Sequence, residues 1–226
     1  YEVTTYRIDG EYEDARHPKE VTFTSNLKVD LERRDFTINA IAYNHKSGIV
    51  DEFDGIGDLN KHIIKCVGCA HDRFSEDALR MFRAVRFAAQ LGFEIDKETQ
   101  DAIKELAPTM AKVSAERIQV ELVKLLTSDH PEMMRNLYEL GLTKVFMPEF
   151  DVMMQTPQNN KHHMYSVGEH TIRTLMNVRA DKVLRLTMLL HDVAKPVCIT
   201  TDEEGQDHFK KHPAVGADMA KQILRR

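Results

Sequence analysis

Polar and apolar residues alternate over residues 3–6 and 20–24, the period of two that marks half-buried strands, with Asp9-Gly10 and His17-Pro18 as turn signals around them. The spacing then lengthens. Leu27, Leu31, Ile38, Ile41 and Ala42 recur at helical intervals and predict a helix over 27–43, with Arg34, Asp35 and Asn39 on or beside it. Short strands follow near 49–53 and 63–67, split by a turn at Gly55 and Gly57. After Ser75, a candidate N-cap, the pattern is helical throughout. The first of these helices closes at Leu91-Gly92, with the glycine as C-cap, and later ones are expected near 97–106, 114–127, 131–140, 166–178, 182–193 and 212–225. The stretch 151–165 is polar and interrupted by Pro157, which predicts a linker. No internal repeat or low-complexity tract occurs.

Polar positions on the helix that starts near residue 76 are ordered. Asp77, Arg80, Arg83 and Arg86 follow one another at steps of three, so on a helix they share a face, and Asp77 and Arg80 project together. A carboxylate only accepts hydrogen bonds and a guanidinium only donates them. Side by side, they suit a base that presents an amino group beside acceptor atoms, as cytosine and adenine do and uracil and guanine do not. Arg83 and Arg86 extend the stripe toward where a triphosphate could lie, because guanidinium forks match phosphate oxygens. A solvated amphipathic helix has the same spacing, so the stripe alone leaves both readings open.

Composition narrows the class. The chain has 226 residues, 42% hydrophobic and 30% charged, enough for one or two domains with ample cores. No apolar run approaches the ~20 residues of a membrane span and no signal peptide is evident, so a cytoplasmic protein is expected. Three cysteines give no disulfide framework. Cys66 and Cys69 form C-x-x-C, but a zinc site needs a second pair and Cys198 stands alone, so packing cysteines are expected. A net charge of −5 excludes a generally basic nucleic-acid binder. Any RNA contact is local, with the arginine stripe and Lys97, Lys104, Lys112, Arg117 and Lys124 as candidates. Those side chains read equally as solvated helix faces.

Upstream lies Arg33-Arg34-Asp35-Phe36-Thr37-Ile38-Asn39-Ala40, then Asp54-Gly55-Ile56-Gly57-Asp58-Leu59, then Glu76-Asp77-Ala78-Leu79-Arg80. This succession resembles the class II tRNA nucleotidyltransferases, the CCA-adding enzymes and their bacterial poly(A) polymerase relatives. In that family R-R-D-F-T-x-N-A belongs to the palm and contacts sugar and triphosphate, and E-D-x-x-R in the neck reads the base. The resemblance implies that Arg34, Asp35 and Asn39 lie near ribose and phosphates, that Asp77 and Arg80 select CTP and ATP, and that 54–59 join head to neck. Ser114-Ala115-Glu116-Arg117-Ile118 resembles the start of the helix that braces the neck and receives no catalytic role. The implied fold class is α+β: a remnant of a nucleotidyltransferase palm sheet (1–70), a mostly helical neck and body (71–150) and an all-α HD domain (151–226).

The family's metal-binding D-x-D strand and the glycine-rich turn before it have no counterpart here, and the chain is expected to be truncated ahead of its first strand. Transfer uses Mg2+ held by those carboxylates in the parent enzyme, so this chain alone is expected to be inactive, with no catalytic carboxylate assigned. Asp9, Glu11, Glu13 and Asp14 read as a mobile loop around Gly10, not as a replacement metal site.

A second chemistry follows the linker: Glu169-His170-Thr171, then His191-Asp192-Val193-Ala194-Lys195-Pro196, then His208 to His212. It resembles the HD domain of metal-dependent phosphohydrolases. The resemblance implies His170, His191 and Asp192 as metal ligands and His212 as a further ligand or phosphate contact. Such nitrogen and oxygen donors suit Mg2+, Mn2+, Ni2+ or Fe2+. The distant aspartate that completes the usual HD set is not in this chain. His130, His162 and His163 lack partners at ligand spacing and are expected at the surface.

The expected function is therefore part of a template-independent transferase that adds C and A to the tRNA 3′ end from CTP and ATP. A poly(A) polymerase of the same family, an HD-type phosphohydrolase and an inactive nucleotide- or RNA-binding fragment stay open as alternatives. Whether the HD module binds metal or serves as scaffold, and the oligomeric state, stay open as well.

Overall fold

The structure, a computed structural model, describes residues 4–10, 20–158 and 165–226. Residue 3, the acidic positions 11, 13 and 14, the turn signal at 17–18, and residues 159, 160, 162 and 163 lie outside the described residues.

Strand β1 (Arg7–Asp9) pairs antiparallel with β2 (Val21–Phe23). Helix α1 (Leu27–Glu32) follows, capped by Asn26, whose side-chain oxygen accepts from the N–H of Lys28 at 3.0 Å. The helix predicted over 27–43 stops there. Asp35 Oδ1 accepts from the Phe36 N–H at 3.0 Å, and Thr37 N–H donates to the Lys65 carbonyl at 2.9 Å. These bonds compete with the helical ladder and leave Phe36 extended, bridged to Cys66 and fully buried. After one 3-10 turn at Thr37–Asn39 the chain runs into β3 (Ile41–Asn44), antiparallel to β4 (Gly48–Asp51).

The expected turn at Gly55 and Gly57 is instead the first turn of α2 (Gly55–Asn60), started by Asp51, which accepts from the N–H groups of Gly55 and Ile56 at 2.7 and 2.8 Å. Gly55 is required by close approach, since a Cβ there would stand 2.3 Å from the Thr37 carbonyl oxygen. Asp58 on the same helix, buried, accepts from the Thr37 hydroxyl at 2.8 Å, so α2 supports the 3-10 turn from below.

Strand β5 (Ile63–Ile64) leads to α3 (Ala70–Glu76) and α4 (Leu79–Leu91), then pairs in parallel with β6 (Glu94–Ile95). Gly92 closes α4 with φ +68°, as its sequence position predicts. Asp96 caps α5 (Lys97–Leu106), a 3-10 stretch spans Ala107–Lys112, and α6 (Ala115–Leu126) packs along α4. Next come a 3-10 turn at Pro131–Met133, α7 (Met134–Glu139), α8 (Thr143–Phe146) and α9 (Pro148–Gln155). The last elements are α10 (Val167–Met176), α11 (Lys182–Leu190), α12 (Lys195–Cys198), a hairpin of β7 (Thr200–Thr201) and β8 (Asp207–His208), and α13 (His212–Ile223).

One apolar cluster runs from Phe36 through Phe82 and Phe150 to Val193, and a second, small one holds Leu31, Ala40 and Val67. The predicted linker begins inside α9, because Pro148 suits a first helical turn and Phe150 and Met153 bury completely against the core. Gln158 is buried too. Cys66, Cys69 and Cys198 are free; burial pushes the Cys66 thiol up to about 12, consistent with its expected packing role, whereas Cys69, also expected to pack, is exposed. Among the described residues no helix is long and apolar enough to cross a membrane.

Candidate nucleotide-binding site and metal cluster

The arginine helix is broken where its chemistry begins. Asp77 ends α3 in extended geometry, φ −146° and ψ 104°, and its Oδ1 accepts from the Leu79 N–H at 3.1 Å, which starts α4. Ser75 therefore lies inside α3 and caps nothing, while the aspartate takes the capping role. Asp77 and Arg80 stay neighbours, because the Arg80 N–H donates to the Asp77 carbonyl at 3.0 Å across this joint. The second oxygen, Asp77 Oδ2, accepts from Arg117 Nη2 at 2.6 Å. Sequence had offered Arg117 as part of a bracing helix, a local RNA contact or a solvated face, and not as a partner of Asp77.

Arg80 reaches across to the head. Its guanidinium donates to Glu76, to the Arg73 carbonyl and, through Nη2, to the Arg33 carbonyl at 3.1 Å. Arg83 goes further: Nε and Nη2 both donate to Asp35 Oδ2, at 2.8 and 2.6 Å. Asp35 Oδ1 meanwhile accepts from Asn39 Nδ2 at 3.1 Å, and Arg34 Nη1 donates to the Asn39 carbonyl at 3.2 Å. Six predicted residues, Arg34, Asp35, Asn39, Asp77, Arg80 and Arg83, thus sit around one seam between the loop after α1 and the start of α4.

Arg86 does not join them. It is 5% exposed, donates from Nε to Glu121 Oε2 at 2.7 Å and stacks 3.5 Å from the Phe87 ring centroid, so it serves the α4–α6 interface and not a triphosphate. Each step of three residues falls about 60° short of a full turn, so Arg86 lies about 120° round α4 from Arg80, on the side where α6 packs. Glu121 was missed in the sequence, although it stands in the apolar stripe of Ile118, Leu125 and Leu126, where a charge needs a partner. Lys97 pairs with Asp101 in solvent, and Lys104, Lys112 and Lys124 are exposed, as their reading as helix faces requires.

The structure brings the histidine cluster together. His191 is the C-cap of α11, and ligand atoms of His170, His191 and Asp192 all lie within 4.8 Å of one another. His212 Nε2 stands 3.6 Å from Asp192 Oδ1. His208 lies apart, on Asp202 at 2.7 Å, and half-exposed His130 pairs with Glu132 at 3.0 Å. Asp192 is buried. Burial alone would raise its pKa, but His191 and the Lys195 ammonium, 2.8 Å from Oδ2, hold it well below the usual carboxylate range. Burial opposes protonation of His191, yet Asp192 and the Met188 carbonyl outweigh it and raise that pKa.

Two imidazoles and a carboxylate form a donor set for a divalent ion, and the buried Asp192 Oδ2 has no aligned hydrogen bond of its own. Lys195 Nζ also donates to buried Gln158 at 2.9 Å, so its ammonium has a second anchor besides Asp192. The residues therefore fit a metal ion.

Two family descriptions match the chain: the poly A polymerase head domain over residues 1–65 and the probable RNA and SrmB-binding site of polymerase A over residues 92–154. The chain is 54% identical over 126 residues to the CCA-adding enzyme of Leuconostoc mesenteroides subsp. mesenteroides, an alignment that covers 56% of this chain and 31% of that protein. With the CCA-adding enzyme of Enterococcus faecalis it shares 55% identity over 126 residues, again 56% of this chain and 31% of the other. The Bacillus stearothermophilus CCA-adding enzyme in complex with CTP superposes with a TM-score of 0.64 at 32% identity, over 98% of this chain and 50% of that one. The Thermotoga maritima CCA-adding enzyme complexed with tRNA shares the fold, with a TM-score of 0.58 at 22% identity over 89% of this chain and 48% of that one. The chain spans about a third of the curated relatives it matches and about half of the solved chains.

Proposed function

Since the chain belongs to the class II family of CCA-adding enzymes and poly(A) polymerase heads, we propose that it is the nucleotide-selecting part of a tRNA nucleotidyltransferase that extends tRNA 3′ ends with C and A from CTP and ATP. The observation that carries this reading is the joint between α3 and α4. There an aspartate carboxylate with both oxygens anchored stands beside an arginine whose guanidinium spans to the head loop. Asp77 accepts from the amino group of cytosine or adenine, and Arg80 donates to the neighbouring ring acceptor. Uracil brings a carbonyl to the carboxylate, and a buried acceptor facing an acceptor costs about 1–3 kcal/mol, which is about five- to a hundredfold in affinity.

Arg34, Asp35 and Asn39 shape the ribose and phosphate end, and Arg83 either holds Asp35 or turns its fork to a phosphate oxygen. In this division residues 1–70 are the head, 71–150 the neck and 151–226 the HD module, three parts that share one core. Nucleotidyltransferases of this family use divalent metal ions. The D-x-D carboxylates that would hold Mg2+ have no counterpart among this chain's residues, so no step through Mg2+ is assigned to it. A cytoplasmic site of action fits a tRNA substrate.

In the HD module His170, His191 and Asp192, with His212 beside them, would hold a divalent ion, which when bound supplies Lewis acidity toward a phosphate oxygen. This chain's own residues there orient ligands: the Met188 carbonyl fixes His191 Nδ1 at 2.7 Å and leaves Nε2 toward Asp192.

Calorimetric titration with CTP, ATP, UTP and GTP, on the chain and on Asp77→Ala, tests the main reading. Selective binding of CTP and ATP that the substitution erases supports it; discrimination that survives in Asp77→Ala overturns it. Titration with Mn2+ and with Ni2+, against His191→Ala, tests the metal cluster separately.

A further inference from the structure

Helix α6 reaches the base-reading joint from forty residues away, and it does so with two charges of opposite sign one turn apart. Arg117 and Glu121 are four residues apart and face α4. Arg117 Nη2 meets Asp77 Oδ2 at 2.6 Å, with both side chains mostly out of solvent. Glu121 Oε2 meets Arg86 Nε at 2.7 Å, and Oε1 lies 4.0 Å from Arg83 Nη1. A slip of α6 by one turn along α4 would set Arg117 against the arginines and leave Glu121 without a cation, so the charge order fixes one register.

We infer that Arg117 is a positioning residue for base selection: it locks the Asp77 carboxylate plane so that the aspartate meets an incoming base only as a fixed acceptor. This rests on the reading of Asp77 as the base-reading group. The Leu79 N–H holds Oδ1 and the Arg117 guanidinium holds Oδ2. A carboxylate offers about four lone-pair sites, so these two bonds leave others for a base amino group while removing rotation about the Cβ–Cγ bond. An acceptor fixed in advance discriminates amino from carbonyl more sharply than one that can swing aside, because a swinging carboxylate escapes the mismatch by turning to water. Discrimination against UTP and GTP is therefore a property of α6 as much as of α4.

The experiment compares binding of CTP, ATP, UTP and GTP to the chain with Arg117→Met, Arg117→Lys, Glu121→Gln and Asp77→Ala, each checked for folding by thermal melting. Positioning predicts that Arg117→Met lowers the CTP-to-UTP affinity ratio about tenfold, mainly by strengthening UTP relative to CTP, while Arg117→Lys keeps part of the ratio. Glu121→Gln, which loosens the same interface at its other charge, weakens all four triphosphates alike and leaves the ratio. If Arg117→Met shifts all four equally, as Glu121→Gln does, Arg117 is only a brace and the inference is overturned. If Asp77→Ala keeps the ratio, or the unsubstituted chain binds all four alike or none, the base-reading assignment itself falls and takes this inference with it. If Arg117→Met does not fold, the Arg117→Lys ratio decides: an unchanged ratio in that folded variant, equal to that of the unsubstituted chain, overturns the positioning role.

Discussion

The head segment 20–60 and the helical segment 79–193 are held by different forces. In the helices, Met81, Phe82, Val85, Leu125, Leu137, Phe150 and Leu175 are all fully buried in one continuous cluster. In the head, Phe36 reaches into that cluster, and the other enclosed apolar side chains, Leu31 and Ala40, form a small separate set with Val67, while Phe23, Tyr43 and Ile49 lie exposed. Charged pairs hold it instead. Buried Asp30 binds Arg33 at 2.6 Å and Arg34 at 3.4 Å, Asp35 binds Arg83, and Arg73 Nη1 donates to the Glu32 carbonyl at 3.0 Å. Apolar burial gives non-directional stability, whereas hydrogen-bonded charge fixes geometry at little net gain. The lesson is that the helices provide a rigid frame and the head is latched onto it by the same side chains that would contact nucleotide.

The contrast can be broken from the helical side first. Phe82→Ala empties the centre of the large cluster and should cost about 3–5 kcal/mol in denaturant unfolding, lowering the transition of the whole chain. Next, Glu121→Ala strands the Arg86 charge inside the α4–α6 interface. A loss of about 3 kcal/mol is expected by the same measurement, and a loss under about 1 kcal/mol would mean that the pair adds only register.

The head side should respond locally. Asp35→Ala unlatches Arg83 and Asn39, at about 1–3 kcal/mol, and amide hydrogen exchange should quicken over 27–51 while 115–126 stays protected. Equal quickening in both segments would erase the distinction drawn above. The smallest effect is acid loosening of the head. Burial by itself would raise the Asp30 pKa, but the Arg33 fork, the Arg7 N–H and the nearby guanidinium charges lower it. A carboxylate depressed in the folded state stabilises fully above its unfolded pKa of about 3.9, and that stability is lost as pH falls through the folded value. Exchange over 27–51 should therefore rise below about pH 4, and Asp30→Asn should remove the pH dependence.

Sequence alone determined a good deal. The helices near 97–106, 114–127, 166–178 and 182–193 were legible from their apolar period, and in the structure the side chains of Asp96, Ser166 and Asp181 cap three of them. The run from Arg33 to Ala40, the Glu76 to Arg80 set and the His191-Asp192 pair could be recognised by residue order, since chemistry of this kind depends on residue type at fixed local spacing. Tertiary structure decided the rest. Residues 33–43 look helical by period, but Phe36 gains more from burial against Cys66 than from one more helical turn. Asp77 looks like a helix-face residue until its own carboxylate caps the next helix. Whether Arg83 meets Asp35, whether Arg86 is buried on Glu121, and which cation holds Asp77 are settled between residues 35 to 48 positions apart. A long charged side chain has many possible partners along a sequence. Only packing chooses one, because it alone sets which of them is within reach and shielded from water.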